Sequence, residues 1–228
     1  MGVHDGHRER LRGRFIEHGL DSFNELNALE LLLFYAIPRK DTNPIAHALL
    51  DRFGSLNGVF EASIRELTEV DGIGESAAAL IKLLPQIVKK SISTRSGSKP
   101  LIATAKQAAE YLIPRFLYEK DEFFLLLCLD SAKRLISCTE IGRGVVSSVD
   151  INVRRVAETA LKERATYVLI SHNHPDGNAL PSREDDYVTQ QVCSAMRAIS
   201  IPVTDHLIIS GNNYSSYADT GILDMYRR

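Results

Sequence analysis

Residues 166–185 read TYVLISHNHPDGNALPSRED, and no other stretch restricts the fold as much. TYVLIS is a short apolar run of the kind that forms a buried strand. His172 and His174 follow it directly. If strand conformation persists, residues two apart project to the same face. A loop carrying Pro175, Gly177 and Pro181 comes next. Ser182 and Asp185 then stand three apart, the spacing of a capping box at a helix start. The chain must therefore join a strand end, a polar cluster and a helix N-terminus. Open α/β sheets place their sites at such strand ends.

Two imidazoles on one face can chelate one ion, and Asp185 can supply a carboxylate. Zinc suits two nitrogens and one carboxylate, with a fourth position left to water; that is the catalytic arrangement, not the closed structural one. Bound zinc lowers the pKa of its water to about 7. Each part alone has an ordinary reading: Ser182 and Asp185 make a helix cap, and an H-x-H often bonds only locally. The readings are compatible, because the cap can fix Ser182 while Asp185 reaches an ion. Asn173 is placed to orient the loop. Asp205 and His206 are expected either to support a ligand histidine, whose other N–H needs an acceptor, or to form a satisfied polar pair at a strand edge.

The surrounding pattern predicts the rest of this half. Thr104 and Gln107 form a capping box before a helix. EFFLLLCLDSAKRLISCTEIG is two apolar runs around a turn at 130–133, a hairpin. A helix over Val153–Leu161, the strand TYVLIS, a second amphipathic helix through Val188 and Met196, and the strand IPVTDHLIIS follow, then a turn at GNN. The fold class is α/β: a mixed sheet with helices packed on it. The first half reads as all-helical. A helix ends before Pro38, Thr42 or Asn43 caps one that has Pro44 in its first turn, and Ser63 with Glu66 opens another. A helix runs from Glu75, with Pro85 as a kink or boundary. Residues 89–100, KKSISTRSGSKP, are polar and hold four cations and no acid. The expected division is a helical domain over 1–90, a linker over 91–102 and an α/β domain over 103–228.

VDGIG at 70–74 precedes an Ala-rich helix and has the form of a helix-hairpin-helix turn. Gly72 and Gly74 would turn the backbone sharply and leave amides at the next helix start free for a phosphate, with Lys82 adding charge. The same turn serves as a plain helix connection. Charge predicts weak, salt-sensitive, sequence-independent DNA contact: the first hundred residues carry thirteen cations and thirteen anions. Arg8, Arg10, Arg12 and Arg14 read as a second phosphate contact or a solvated helix face. Cys128, Cys138 and Cys193 sit in apolar surroundings and read as core. An odd number of cysteines, no secretory signal and no apolar run of about 18 residues point to a cytoplasmic protein with no membrane span.

His172-x-His174, seven residues, Ser182, two residues, Asp185 reproduces the signature of the JAB/MPN (JAMM) metalloenzymes. HNHP with PSRED, Asp205-His206, GHRERLRGRF and FYAIPRKDTNPIAHALL resemble the bacterial RadC family within them. The resemblance implies a JAB/MPN fold behind a helix-hairpin-helix module, one zinc ion per chain and an association with DNA repair. It implies attack on a peptide or isopeptide carbonyl, with Glu140 as general base and Ser182 stabilising the oxyanion; Glu122 and Glu158 are weaker candidates for the base. A metal-dependent DNA nuclease and a non-catalytic DNA-binding adaptor are the alternatives. Two departures stand out: Asp176-Gly177 where many relatives have Ser-Gly, adding negative charge near the ion, and Val153-Arg154-Arg155 where relatives often have Pro-Arg-Glu.

Overall fold

A computed structural model of the chain describes residues 3–94, 99–144, 151–175 and 177–226. The chain separates into two units, residues 1–91 and 92–228. The first is helical: α1 (Val3–His18), α2 (Glu25–Ala36), α3 (Asn43–Phe53), α4 (Leu56–Glu61), α5 (Ile64–Thr68) and α6 (Glu75–Thr94). Leu29, Leu33, Leu49, Leu67 and Ile81 fill its core. Ser63 and Glu66 make the reciprocal capping box that their spacing predicts. Thr42 precedes α3 but makes no side-chain cap. Asp41 does that work, its Oδ1 accepting from the Asn43 N–H at 3.1 Å. Pro85 does not end α6. The helix continues to Thr94, so the stretch expected as a linker from residue 91 begins as helix. Residues 95–98 of that stretch lie outside the described residues.

The second unit contains α7 (Ala105–Phe116), β1 (Phe123–Leu129), β2 (Leu135–Arg143), α8 (Val153–Lys162), β3 (Tyr167–Asn173), α9 (Arg183–Ala198), β4 (Val203–Ser210), β5 (Asn213–Ser216) and α10 (Ile222–Tyr226). The sheet order is β2-β1-β3-β4-β5. Among the described residues only the β3–β4 pair is parallel. This is the expected mixed sheet with helices on it. The hairpin turn is fixed by Asp130, whose Oδ1 accepts from the N–H groups of Ala132 and Arg134, both at 2.9 Å.

Strand period divides the core into two layers. Leu125, Leu127, Leu129, Leu169 and Leu207 pack under α7. Phe124, Leu126, Val168, Ile170 and Ile208 pack against Val156 of α8 and Val188, Val192 and Met196 of α9. β1 is buried along its whole length, which is why it reads as an unbroken apolar run rather than an alternating one. His172 continues the Val168–Ile170 face and His206 the Ile208 face, so both rings project on the side that α9 covers.

Candidate metal centre

The centre forms where the end of β3 meets the start of α9. His172 Nε2 lies 3.0 Å from His174 Nε2 and 3.0 Å from Asp185 Oδ1. His174 Nε2 lies 3.5 Å from Asp185 Oδ2. One ligand atom from each of the three residues falls within 4.8 Å of the others. Zinc takes nitrogen and carboxylate ligands at about 2.0–2.2 Å, so donors this close together can converge on one ion. The donor set therefore fits zinc.

Local structure holds each donor. Ser182 caps α9: its Oγ accepts from the Asp185 N–H at 3.1 Å, and Asp185 Oδ2 accepts from the Ser182 N–H at 2.8 Å. Ser182 Oγ also donates to Asp185 Oδ2 at 2.7 Å, so its proton is engaged by the carboxylate. Helix cap and ligand position coincide in Asp185. Burial pushes the Asp185 carboxyl up, but contact with the His172 and His174 imidazoles outweighs it and holds the carboxyl well below the usual range. Contact with the Asp185 carboxylate raises His174, against burial. His174 Nδ1 is 3.0 Å from the Asn178 carbonyl. A carbonyl only accepts, so Nδ1 carries the proton and Nε2 faces the cluster.

The supporting residues divide. His206 belongs to the centre: its Nε2 is 2.9 Å from His172 Nδ1, and its ring is fully buried. Burial lowers its pKa well below the ordinary histidine value. Asp205 does not touch a ligand ring. Its carboxylate accepts from the His206 N–H at 2.7 Å, the Ala218 N–H at 2.9 Å and Ser216 Oγ at 2.6 Å, tying β4 to the segment after β5. Asn173 clamps the approach to β1: Oδ1 accepts from the Phe123 N–H at 2.9 Å and Nδ2 donates to the Asp121 carbonyl at 3.1 Å.

Those two bonds flank Glu122, which lines a cleft of about 710 Å³ together with His172, His174, Ser182 and Asp185. Glu140 does not line it. Its side chain is exposed and paired with Arg143, at 3.1 and 2.8 Å. The reason is topological: Glu140 lies on the edge strand β2, and β1 stands between it and β3. Glu158 is paired with Arg154 at 2.7 Å on the exposed face of α8. Of these three candidates, Glu122 is the one that the structure brings to the cleft. Its signal in the sequence was its place just before the apolar run of β1, because Phe124 pairs with His172. Asp176 lies outside the described residues.

In the helical unit, Gly72 has φ +90°, and a Cβ there would lie 2.7 Å from Ile45 Cδ1. The turn therefore requires glycine. Gly74 has no such demand, since a Cβ would meet nothing within 4 Å. Lys82 donates to the Phe60 carbonyl at 2.5 Å, which ties its ammonium to the end of α4. Arg8 donates to the carbonyls of Ile37, Pro38 and Lys40, and Arg14 to Asn27 Oδ1. These charges hold the fold. No helix among the described residues is long and apolar enough to cross a membrane.

Residues 102–222 match the family described as RadC-like JAB domain. A UPF0758 protein of Fusobacterium nucleatum is 33% identical over 225 residues, covering 96% of this chain and 97% of that protein. A UPF0758 protein of Ruegeria pomeroyi is 35% identical over 217 residues, covering 95% and 97%. The matched segment runs from just before α7 to the first residue of α10 and so takes in every strand and the whole His-His-Asp cluster. The chain belongs to the RadC family, and the JAB domain of that family is the part that builds this centre.

Proposed function

We propose that this protein is a zinc-dependent hydrolase acting on an amide or isopeptide carbonyl. The observation that carries the reading is the convergence of His172, His174 and Asp185, within 4.8 Å of one another, beside a cleft that Glu122 also lines. His172, His174 and Asp185 would hold one ion per chain, and bound zinc supplies Lewis-acid activation of water and carbonyl. Glu122 is the general base: its carboxylate takes the proton of the attacking water and returns it to the leaving nitrogen. Ser182 turns its hydroxyl from Asp185 to the oxyanion of the attacked carbonyl.

Among the described residues, Asp121, Glu122, Glu184 and Asp185 line the cleft against a single lysine, Lys120. Such a lining repels a polyanion, which weighs against DNA as the molecule cleaved here. DNA contact, where it occurs, belongs to the Gly72 turn at the start of α6, which suits a backbone phosphate. With Lys82 engaged, that contact is weak and salt-sensitive.

The test compares zinc-loaded wild type, Glu122→Gln and Glu140→Gln on a library of peptide and isopeptide substrates. Glu122→Gln should lose about 10²–10⁴-fold in turnover while keeping its zinc, and Glu140→Gln should retain activity. Full turnover in Glu122→Gln overturns the assignment. Absence of cleavage in zinc-loaded wild type across the library favours the adaptor.

A further inference from the structure

His174 has its proton placed by a backbone carbonyl. Among the described residues His172 has no carbonyl or carboxylate at Nδ1; its partner there is another imidazole, His206 Nε2, at 2.9 Å. Two imidazoles can share that contact with the proton on either nitrogen. Something further along must choose.

The choice can be traced from Thr189. Its Oγ1 lies 2.5 Å from the Asp185 carbonyl oxygen, one turn back in α9. Two oxygens this close share a hydrogen, and only the threonine has one, so Thr189 donates to Asp185. The same Oγ1 lies 2.6 Å from His206 Nδ1. With its own proton spent, Oγ1 can only accept, so His206 Nδ1 donates. His206 is fully buried and none of its ring contacts among the described residues is a carboxylate, so it is neutral and carries that single proton. Its Nε2 is then an acceptor, and the proton in the contact with His172 must sit on His172 Nδ1. That leaves His172 Nε2, the nitrogen facing Asp185 Oδ1, as the one an ion binds.

We infer that Thr189, acting through His206, is a positioning residue that fixes the tautomer of His172 and so commits Nε2 to the metal. Both ends of the relay meet at Asp185, whose main-chain carbonyl accepts the Thr189 hydrogen bond and whose carboxylate faces the nitrogen that the relay leaves for the ion. The His206 ring has little freedom to turn out of line: Tyr217 stacks on it at 4.9 Å, and the Tyr217 hydroxyl is anchored on Asp186 at 2.9 Å. The purpose of the relay rests on the metal-site reading; its hydrogen bonds do not.

The test begins with metal-free, ¹⁵N-labelled full-length protein. Two-bond ¹H–¹⁵N correlation through the imidazole rings reports which nitrogen carries hydrogen. His206 is expected as the Nδ1–H tautomer in wild type. In the near-isosteric Thr189→Val that preference should be lost, and in Thr189→Ser it should return. An Nε2–H tautomer of His206 in wild type overturns the inference, as does an unchanged spectrum in Thr189→Val. Zinc competition against a chromophoric chelator is the second readout: Thr189→Val should bind about 10- to 100-fold more weakly, and Thr189→Ser close to wild type. Equal affinity in Thr189→Val overturns the coupling to the metal. If wild type takes up no zinc, the metal reading fails while the ring spectra still decide the relay.

Discussion

Replacing Asn173 by alanine isolates the link between the ligand strand and the proposed base. The substitution removes two bonds to the main chain on either side of Glu122, one from the buried Phe123 N–H and one to the Asp121 carbonyl. An unsatisfied buried donor costs about 1–3 kcal/mol, and a hydrogen bond that water can replace about 0.5–1.5. The second bond is only partly buried, so the expected loss is about 1.5–4.5 kcal/mol. Phe123 lies beyond the β1–β3 pairing, which stops at Phe124 and His172. Urea denaturation of the full chain measures the loss. Hydrogen exchange at the Phe123 amide gives a local readout, expected to accelerate well beyond its neighbours in β1. Zinc stoichiometry should persist, because His172 and His174 keep their own partners. A loss below about 0.5 kcal/mol with the Phe123 amide still protected would refute the clamp.

Three further outcomes follow from the same geometry. Zinc at about 100 times its dissociation constant should stabilise the C-terminal unit by about 2.7 kcal/mol, or about 8 °C at roughly 3 °C per kcal/mol. Calorimetry should show that shift for this unit alone, and none in Asp185→Ala. His206 is held neutral by burial. Below the ordinary histidine value the unfolded chain takes a proton that the native ring refuses, so stability falls as pH falls. Metal-free wild type should lose about 1.4 kcal/mol per pH unit relative to His206→Gln between pH 6 and 5, and parallel denaturation profiles would contradict this. Lys82→Met should cost the helical unit about 1–2 kcal/mol through the lost bond to Phe60. It should leave duplex-DNA binding and its salt slope unchanged; a slope smaller by one charge would return Lys82 to the phosphate contact.

What the sequence made legible was local. The strand TYVLIS, the two histidines at its end and the Ser182–Asp185 box lie within twenty residues. Strand period and cap spacing alone bring those donors together, so no long-range pairing had to be known. Glu122 depended on such a pairing: only the antiparallel register of Phe124 with His172 carries the residue before β1 to the cleft. Order along the chain does not reveal that β1 stands between Glu140 and β3. Lys82 and Arg8 read as free charge because their carbonyl partners arrive from Phe60 and from Ile37 through Lys40. Thr189 gave no signal, being one polar residue on a helix until β4 brings His206 beneath it. β5 was hidden in the turn read at GNN, since a four-residue edge strand carries little pattern.

The central claim is that His172, His174 and Asp185 hold one metal ion beside Glu122. Elemental analysis of protein purified without a metal-binding tag and incubated with zinc tests it most directly, on wild type, His174→Ala and Glu122→Gln. The account predicts about one zinc per chain in wild type and in Glu122→Gln, and none in His174→Ala. No zinc in wild type, or an undiminished content in His174→Ala, would contradict it.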